Sequence, residues 1–375
     1  MFKKFLYIFS VLIMFLTISL TLPVNVSYHV DAKIGVSSEV CPDAIFSKIV
    51  NFLVPNNASS NATTNKERQR VYVSGKPIGF SIEGGGVVVV TMGEIKKSGN
   101  YIESPCKKAG IKAGDVIVKA EGVDVTSGER LIDIVNSRNG LPVELEIMRG
   151  DEEKHISVTP EKDDLALSYR IGVWVRDNSV GVGTITYVTE DGNFSALGHP
   201  VADNDTQTIM PLGYGNIYKC SIVGVRKGER GKPGELKGLF LKNNNNIGEI
   251  TENSENGIKG CFNSEENMNK YITSDLVEVA FKSEVKPGKA EIRSTIDGTE
   301  PTAYEVEIIK TNHINSSGNR CMVIKIVDKQ LLEKTNGIVQ GMSGSPLLQD
   351  GRIVGCVTHV FINDPTKGFA EFIDK

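Results

Sequence analysis

Apolar residues recur along this chain in short runs rich in Val and Ile, broken by Gly, Asn and Asp. Runs of that kind predict strands and turns rather than long helices. One stretch departs from the pattern. Behind Lys3 and Lys4, the residues from Phe5 to Leu22 are almost continuously apolar, close to the length that crosses a bilayer. Residues 1–32 are therefore expected to be a signal or anchor segment, with an uncleaved anchor favoured over a cleaved signal. The two lysines place the remainder of the chain outside the cytoplasm. Residues 33–70 then read as a tether, because Asn56 to Asn65 is polar and low in complexity.

Residues 71–164 carry the signals of one small domain. Val71-Tyr72-Val73 and Val87 to Met92 read as strands, and Ala109-Gly110-Ile111-Lys112-Ala113-Gly114-Asp115 as a tight turn feeding another at Val116. Thr126-Ser127-Gly128-Glu129 fits a helix start; Leu131, Ile134 and Val135 mark its apolar face, and Asn139-Gly140 its end. Val143 to Met148 and His155 to Val158 alternate as paired strands. The turn, the spacing and the single helix together resemble a PDZ domain of the bacterial protease type. Such domains bind chain ends or extended segments by strand addition. The resemblance makes Ile78, Gly79 and Phe80 a carboxylate-binding loop for a peptide. The plainer reading of Gly79-Phe80 is a turn with a core aromatic.

Residues 165–375 show only short strands, among them Gly172–Val175, Gly183–Val188, Met322–Ile326 and Ile353–Val360. That pattern suggests a barrel pair or a sandwich. Six cysteines are spread without a C-x-x-C, so zinc and thioredoxin-like chemistry is unsupported, and Cys321 and Cys356 read as buried thiols in apolar strands. A net charge of −4 with no basic stripe gives no sign of a nucleic-acid partner. No residue pattern calls for a metal or another cofactor.

The chemistry concentrates at Gly341-Met342-Ser343-Gly344-Ser345-Pro346, a hydroxyl set between glycines and followed by a hairpin pattern. A nucleophilic Ser needs a backbone of that kind, so that neighbouring N–H groups can point at an oxyanion. The order resembles the nucleophile region of chymotrypsin-like serine proteases, with Ser343 as nucleophile and the N–H groups of Gly341 and Ser343 as oxyanion donors. Of five histidines, His199 in Ala196-Leu197-Gly198-His199-Pro200 is the favoured base, at a small-residue turn ending a strand. The orienting carboxylate stays open among Asp203, Asp205, Asp275, Asp297 and Asp328. The last of these also fits a helix N-cap in Asp328-Lys329-Gln330-Leu331. Thr358, at the end of the strand after the hairpin, is a candidate for supporting that carboxylate or the substrate.

Taken together, the anchor, the tether, the PDZ-like segment, "SALGHP", "GIVQGMSGSP" and "VTHVFINDPT" resemble the SpoIVB peptidase family of endospore-forming bacteria. The chain ends at "GFAEFIDK", where the family pattern runs somewhat further. The resemblance implies a mainly β chain with a trypsin-like double β-barrel as the serine peptidase domain over 165–375. It assigns His199, Asp328, Ser343 and Thr358 to the catalytic set. It implies a self-cleaving peptidase between forespore and mother cell, with its own N-terminal region and a membrane-bound sporulation regulatory complex as substrates, leading to sigma-K activation. An envelope quality-control protease and a non-enzymatic PDZ adaptor are the alternatives. In the quality-control type the PDZ module usually follows the protease, whereas here it comes first.

Overall fold

A computed structural model of the chain describes residues 68–241, 246–312 and 320–374. The expected anchor, and the expected tether up to residue 67, lie outside the described residues, as do Cys41 and His313. Among the described residues no helix is long and apolar enough to cross a membrane.

In chain order the elements that build the site are β1 (Arg70–Val73), β2 (Pro77–Met92), β3 (Val116–Ala120), helix α1 (Gly128–Ser137), β4 (Val143–Arg149) and β5 (Glu152–Val158). Next come β6 (Val173–Val188), β7 (Asn193–Ala196), β8 (Leu212–Lys219), β9 (Asn246–Ser254) and β10 (Gly257–Phe262). The last third holds β11 (Gly288–Ser294), β12 (Thr302–Thr311), β13 (Met322–Ile326), helix α2 (Lys329–Thr335), β14 (Pro346–Gln349), β15 (Arg352–Val360) and β16 (Lys367–Phe372).

The helix and later strands of the PDZ-like layer form as their local signals predict, but Val71–Val73 does not join it: β1 pairs with Tyr187 and Val188 of β6 and with Leu276–Glu278. Ser127 caps α1 by accepting from the Arg130 N–H at 3.1 Å, and Leu131, Ile134 and Val135 are buried. Asn139 and Gly140 end the helix at positive φ. Strands β3, β4 and β5 pair in sequence, and β3 is held to the second half of β2. Ile117, Leu145 and Ile147 fill the core beneath α1.

From β6 onward most strands pair, together with β2, in two closed circuits. The first is a six-strand barrel of β11, β12, β13, β16, β15 and β14. In the second, β6 pairs with β7, β7 with β10, β10 with β9, β9 with β8 and β8 with β2, and β2 returns to β6. Each ring encloses its own core: Ile292, Val306, Ile324 and Val357 in the first, and Ile78, Ile185, Phe194, Ile217 and Ile258 in the second. Closure removes strand edges within each ring, while the larger sheet still ends in Leu276–Glu278 and β5.

Two strands serve more than one layer. From Pro77 to Glu83, β2 pairs with β6 over Asn178 to Thr184 inside the ring; from Val88 to Met92 it pairs with Val173 to Arg176 in the PDZ-like layer. Gly172–Val175 and Gly183–Val188, which read as separate strands in the sequence, are thus the two ends of one ribbon. Its register shifts between Arg176 and Asn178, opposite the glycines at 84–86, and there the ribbon changes layers.

The expected loop at Ile78, Gly79 and Phe80 is a correction forced by that ribbon. These residues lie in β2 with partners on both edges, Gly183, Val182 and Gly181 on one side and Lys219, Tyr218 and Ile217 on the other. Ile78 and Phe80 point into the ring core, and a Cβ on Gly79 would overlap the Phe240 ring. With both edges hydrogen-bonded, no strand can be added there. The segments packed on α1 are instead the short strand Ser168–Arg170, whose Tyr169 N–H donates to Asn136 Oδ1 at 2.9 Å, and the start of β6, whose Asp177 carboxylate accepts from the Gly128 N–H at 3.0 Å.

Candidate active site

His199 is carried by a loop leaving β7. Leu197 and Gly198 both adopt positive φ, and a Cβ on Gly198 would lie 2.6 Å from Cys356 Sγ, so glycine is required where this loop meets the other barrel. The His199 Nδ1 lies 2.9 Å from the Pro200 carbonyl oxygen. A carbonyl only accepts, so in the neutral imidazole the proton sits on Nδ1 and Nε2 keeps its lone pair, as a general base requires. Burial lowers the His199 pKa, opposed by that hydrogen bond.

Ser343 sits across a cavity of about 1120 Å³ that His199, Thr358 and His359 also line. Gly341 and Gly344 flank it at φ of 97° and 92°. The loop is fixed through its carbonyls. The hydroxyl of Thr184 donates to Gly341 O at 2.9 Å, the N–H of Thr184 to Ser343 O at 3.1 Å, and the hydroxyl of Thr186 to Gly344 O at 2.8 Å. Both threonines are buried on β6, so the strand of one barrel positions the nucleophile loop of the other. Among the described residues no hydrogen bond engages the N–H of Gly341 or Ser343, which leaves two donors for a developing oxyanion.

The Ser343 hydroxyl donates to the Thr358 carbonyl at 2.9 Å, and no hydrogen bond joins it to His199 among the described residues. Catalytic hydrogen bonds are often loose or unmade before substrate binds. Thr358 thus contributes its backbone oxygen.

Asp328 is not brought to this cluster. It caps α2, with Oδ1 accepting from the Leu331 N–H at 2.8 Å and Oδ2 from the Glu305 N–H at 3.4 Å, and it does not line the cavity. In this structure the position expected for an orienting acid on His199 Nδ1 is taken by the Pro200 carbonyl. Asp328→Ala is expected to cost about 1 kcal/mol of stability, the usual scale for a lost N-cap, read as a lower urea midpoint. Loss of activity beyond the unfolded fraction would put Asp328 in the chemistry instead.

The alternative acid Asp203 is buried but engaged. Its Oδ1 accepts from the N–H groups of Asp205 and Thr206 and from the Thr206 hydroxyl, while Oδ2 lies 2.8 Å from Arg176 Nη1. Strand alternation sets His359 on the face opposite Thr358, yet both line the cavity. The register shift between Val357 and His359 breaks the alternation there. The His359 ring lies 5.0 Å from that of His199, with Nδ1 buried and unpartnered. Burial, then the neighbouring His199 and Arg320, push its pKa down to about 4, so it adds no cation beside the base at neutral pH. Its bulge had no signal in the sequence, nor did the threonine clamp of β6.

Cys321 and Cys356 are buried thiols, as their strands suggested, and the other described cysteines, Cys106, Cys220 and Cys261, are thiols as well.

The family model described as SpoIVB peptidase S55 matches residues 167–375, and a PDZ domain model matches residues 77–159. Among curated proteins, serine protease HTRA1 of Xenopus tropicalis is 39% identical over 70 residues, covering 17% of this chain and 15% of that protein. The putative zinc metalloprotease LL2128 of Lactococcus lactis is 32% identical over 91 residues, covering 24% of this chain and 20% of that protein. The matches therefore span only a small part of those relatives. Among solved structures, the PDZ domain of the SdrC-like protein of Listeria monocytogenes is 23% identical, with a TM-score of 0.20, and covers 24% of this chain and 87% of that one.

Proposed function

The chain belongs to the SpoIVB peptidase S55 family, a family of serine peptidases, and from that premise we propose that Ser343 and His199 form its catalytic pair. The observation that carries this reading is the 2.9 Å contact of His199 Nδ1 with the Pro200 carbonyl oxygen, which sets the tautomer. The His199 Nδ1–H is committed to Pro200, its Nε2 is free to accept, and Ser343 lines the same cavity with two unengaged N–H groups beside it. His199 takes the Ser343 proton as the hydroxyl attacks a peptide carbonyl. The N–H groups of Gly341 and Ser343 hold the oxyanion, and the imidazolium returns the proton to the leaving amine. The paired rings of strands support a trypsin-like double β-barrel as the frame.

The biological reading extends this. The chain acts outside the cytoplasm, held at the membrane by its N-terminal segment, and cuts its own N-terminal region and a membrane-bound regulatory complex during sporulation, leading to sigma-K activation. Family membership and the apolar run from Phe5 to Leu22 support that extension.

Labelling by a fluorophosphonate tests the chemistry, because the probe reacts with an activated serine. The labelled residue is expected to be Ser343. The rate should rise with pH as His199 loses its proton, and because burial lowers its pKa, the midpoint should lie below the ordinary imidazole value of about 6.5. Labelling at another residue, or a midpoint above that value, would count against the pair. For the biology, a spore former making only the Ser343→Ala chain should stall before sigma-K-dependent transcription; normal transcription there would remove the sporulation role.

A further inference from the structure

The Pro200–Val201 peptide group that accepts the hydrogen bond from His199 Nδ1–H is itself held from behind. Its carbonyl accepts from His199 Nδ1 at 2.9 Å, and its N–H, on Val201, donates to Asn253 Oδ1 at 2.9 Å. Asn253, near the end of β9, closes the arrangement by donating from Nδ2 to Val201 O at 2.9 Å and to Met210 O at 3.0 Å. One N–H and two carbonyls around one carboxamide fix which end is oxygen and which is nitrogen. The amide is therefore oriented, with its acceptor end toward the peptide that serves the imidazole.

A peptide group is conjugated, so an acceptor on its N–H raises the negative charge on its carbonyl oxygen, and hydrogen bonds in series strengthen one another. The series here runs from Asn253 through one peptide to Nδ1 of His199. Among the described residues no carboxylate hydrogen-bonds His199: Asp203 holds its own turn through Oδ1 and ion-pairs with Arg176 through an Oδ2 that makes no aligned hydrogen bond, and Asp328 caps a helix.

We propose that Asn253 is a positioning residue for the peptidase reaction, acting through the Pro200–Val201 peptide to orient and polarise His199 in place of a directly bonded carboxylate. The proposal rests on the reading of Ser343 and His199 as the catalytic pair. Asn253 touches neither substrate nor the reacting atoms. It holds the base in the tautomer that can accept from Ser343 and stabilises the imidazolium formed at the tetrahedral stage.

The test uses the full-length protein in detergent and measures the second-order rate of fluorophosphonate labelling against pH. The parent, Ser343→Ala, Asn253→Ala and Asn253→Asp are compared, each rate corrected for the folded fraction. Asn253→Ala is expected to label about 10- to 100-fold more slowly at neutral pH, the scale seen when the outer partner that orients a metal-ligating histidine is removed. Asn253→Asp keeps an acceptor on Val201 and places a full charge behind the peptide. It should label within a few-fold of the parent, with its midpoint displaced to higher pH. The other ionisable groups facing the cavity stay in place in every variant: His359, Arg320, Glu255, the Arg176–Asp203 pair, and Glu235 and Lys237.

A purely structural asparagine would change the folded fraction and leave the midpoint where it was. Parental corrected rates and midpoints in both variants would overturn the proposal, as would an Asp variant as slow as the Ala variant with an unmoved midpoint. If Asn253→Ala does not fold, the midpoint of Asn253→Asp decides alone. If the parent labels no better than Ser343→Ala, the catalytic reading itself falls, and the proposal with it.

Discussion

Replacing Ser343 with alanine is expected to leave the purified full-length chain uncut and to lower turnover by about 10⁴- to 10⁶-fold, the scale found when a serine nucleophile is removed. His199→Ala should fall to a similar level, because a hydroxyl without a base is a weak nucleophile at neutral pH. The two losses should not multiply. Once either partner is gone, the remaining rate comes from substrate binding and the oxyanion donors, which both variants keep. Time courses of self-processing for the two single variants and the double variant, in the absence of other proteases, read this directly. Processing of Ser343→Ala at the parental rate would end the claim that this serine does the cutting. A double variant slower by the product of the single losses would mean that Ser343 and His199 act separately.

Gly344→Ala is expected to be the most destabilising single-methyl change at the site, costing about 3–5 kcal/mol through backbone strain and a buried clash. Gly344 has φ of 92°, and a Cβ there would overlap the Thr184 carbonyl oxygen and lie 2.5 Å from Leu197 N. Both obstacles are backbone, one on β6 and one on the loop that carries His199, so neither can rotate aside. The comparison is Gly351→Ala in the hairpin turn, with φ of 75° and open space around the added methyl. That change adds only the left-handed penalty of about 1–2 kcal/mol. Chemical denaturation of the two variants checks the difference, and equal midpoints would show that the close approach at Gly344 is unimportant.

The elements that read correctly from the sequence are those whose causes are local. Ser127 caps α1, Asn139 and Gly140 end it, and Asp350-Gly351 turns the hairpin after Ser343, because each needs only a few neighbouring residues. Asp328 was legible twice, as a helix cap and through family resemblance as an acid, and the structure realises the cap. Ring closure was suggested by strand spacing, but the partners were not, since pairing Pro77–Glu83 with Asn178–Thr184 joins segments about a hundred positions apart. That distance also explains the misplaced loop at Ile78–Phe80. The local pattern of a glycine between apolar residues fits a turn or a strand equally, and the partners on both sides decide it. Asn253 gave no signal because it sits in a polar run, Thr251-Glu252-Asn253-Ser254, that matches any exposed strand end.

The ribbon of β2 and β6 sets a limit on how this protein can be taken apart. A truncated chain beginning after the PDZ-like segment would lack β2 and open the ring that holds His199; one ending before β6 would leave Val88 to Met92 without the strand that pairs with them. Neither half is a portable cassette. Recombination, proteolysis or expression of a fragment would therefore meet the two modules as a single indivisible unit.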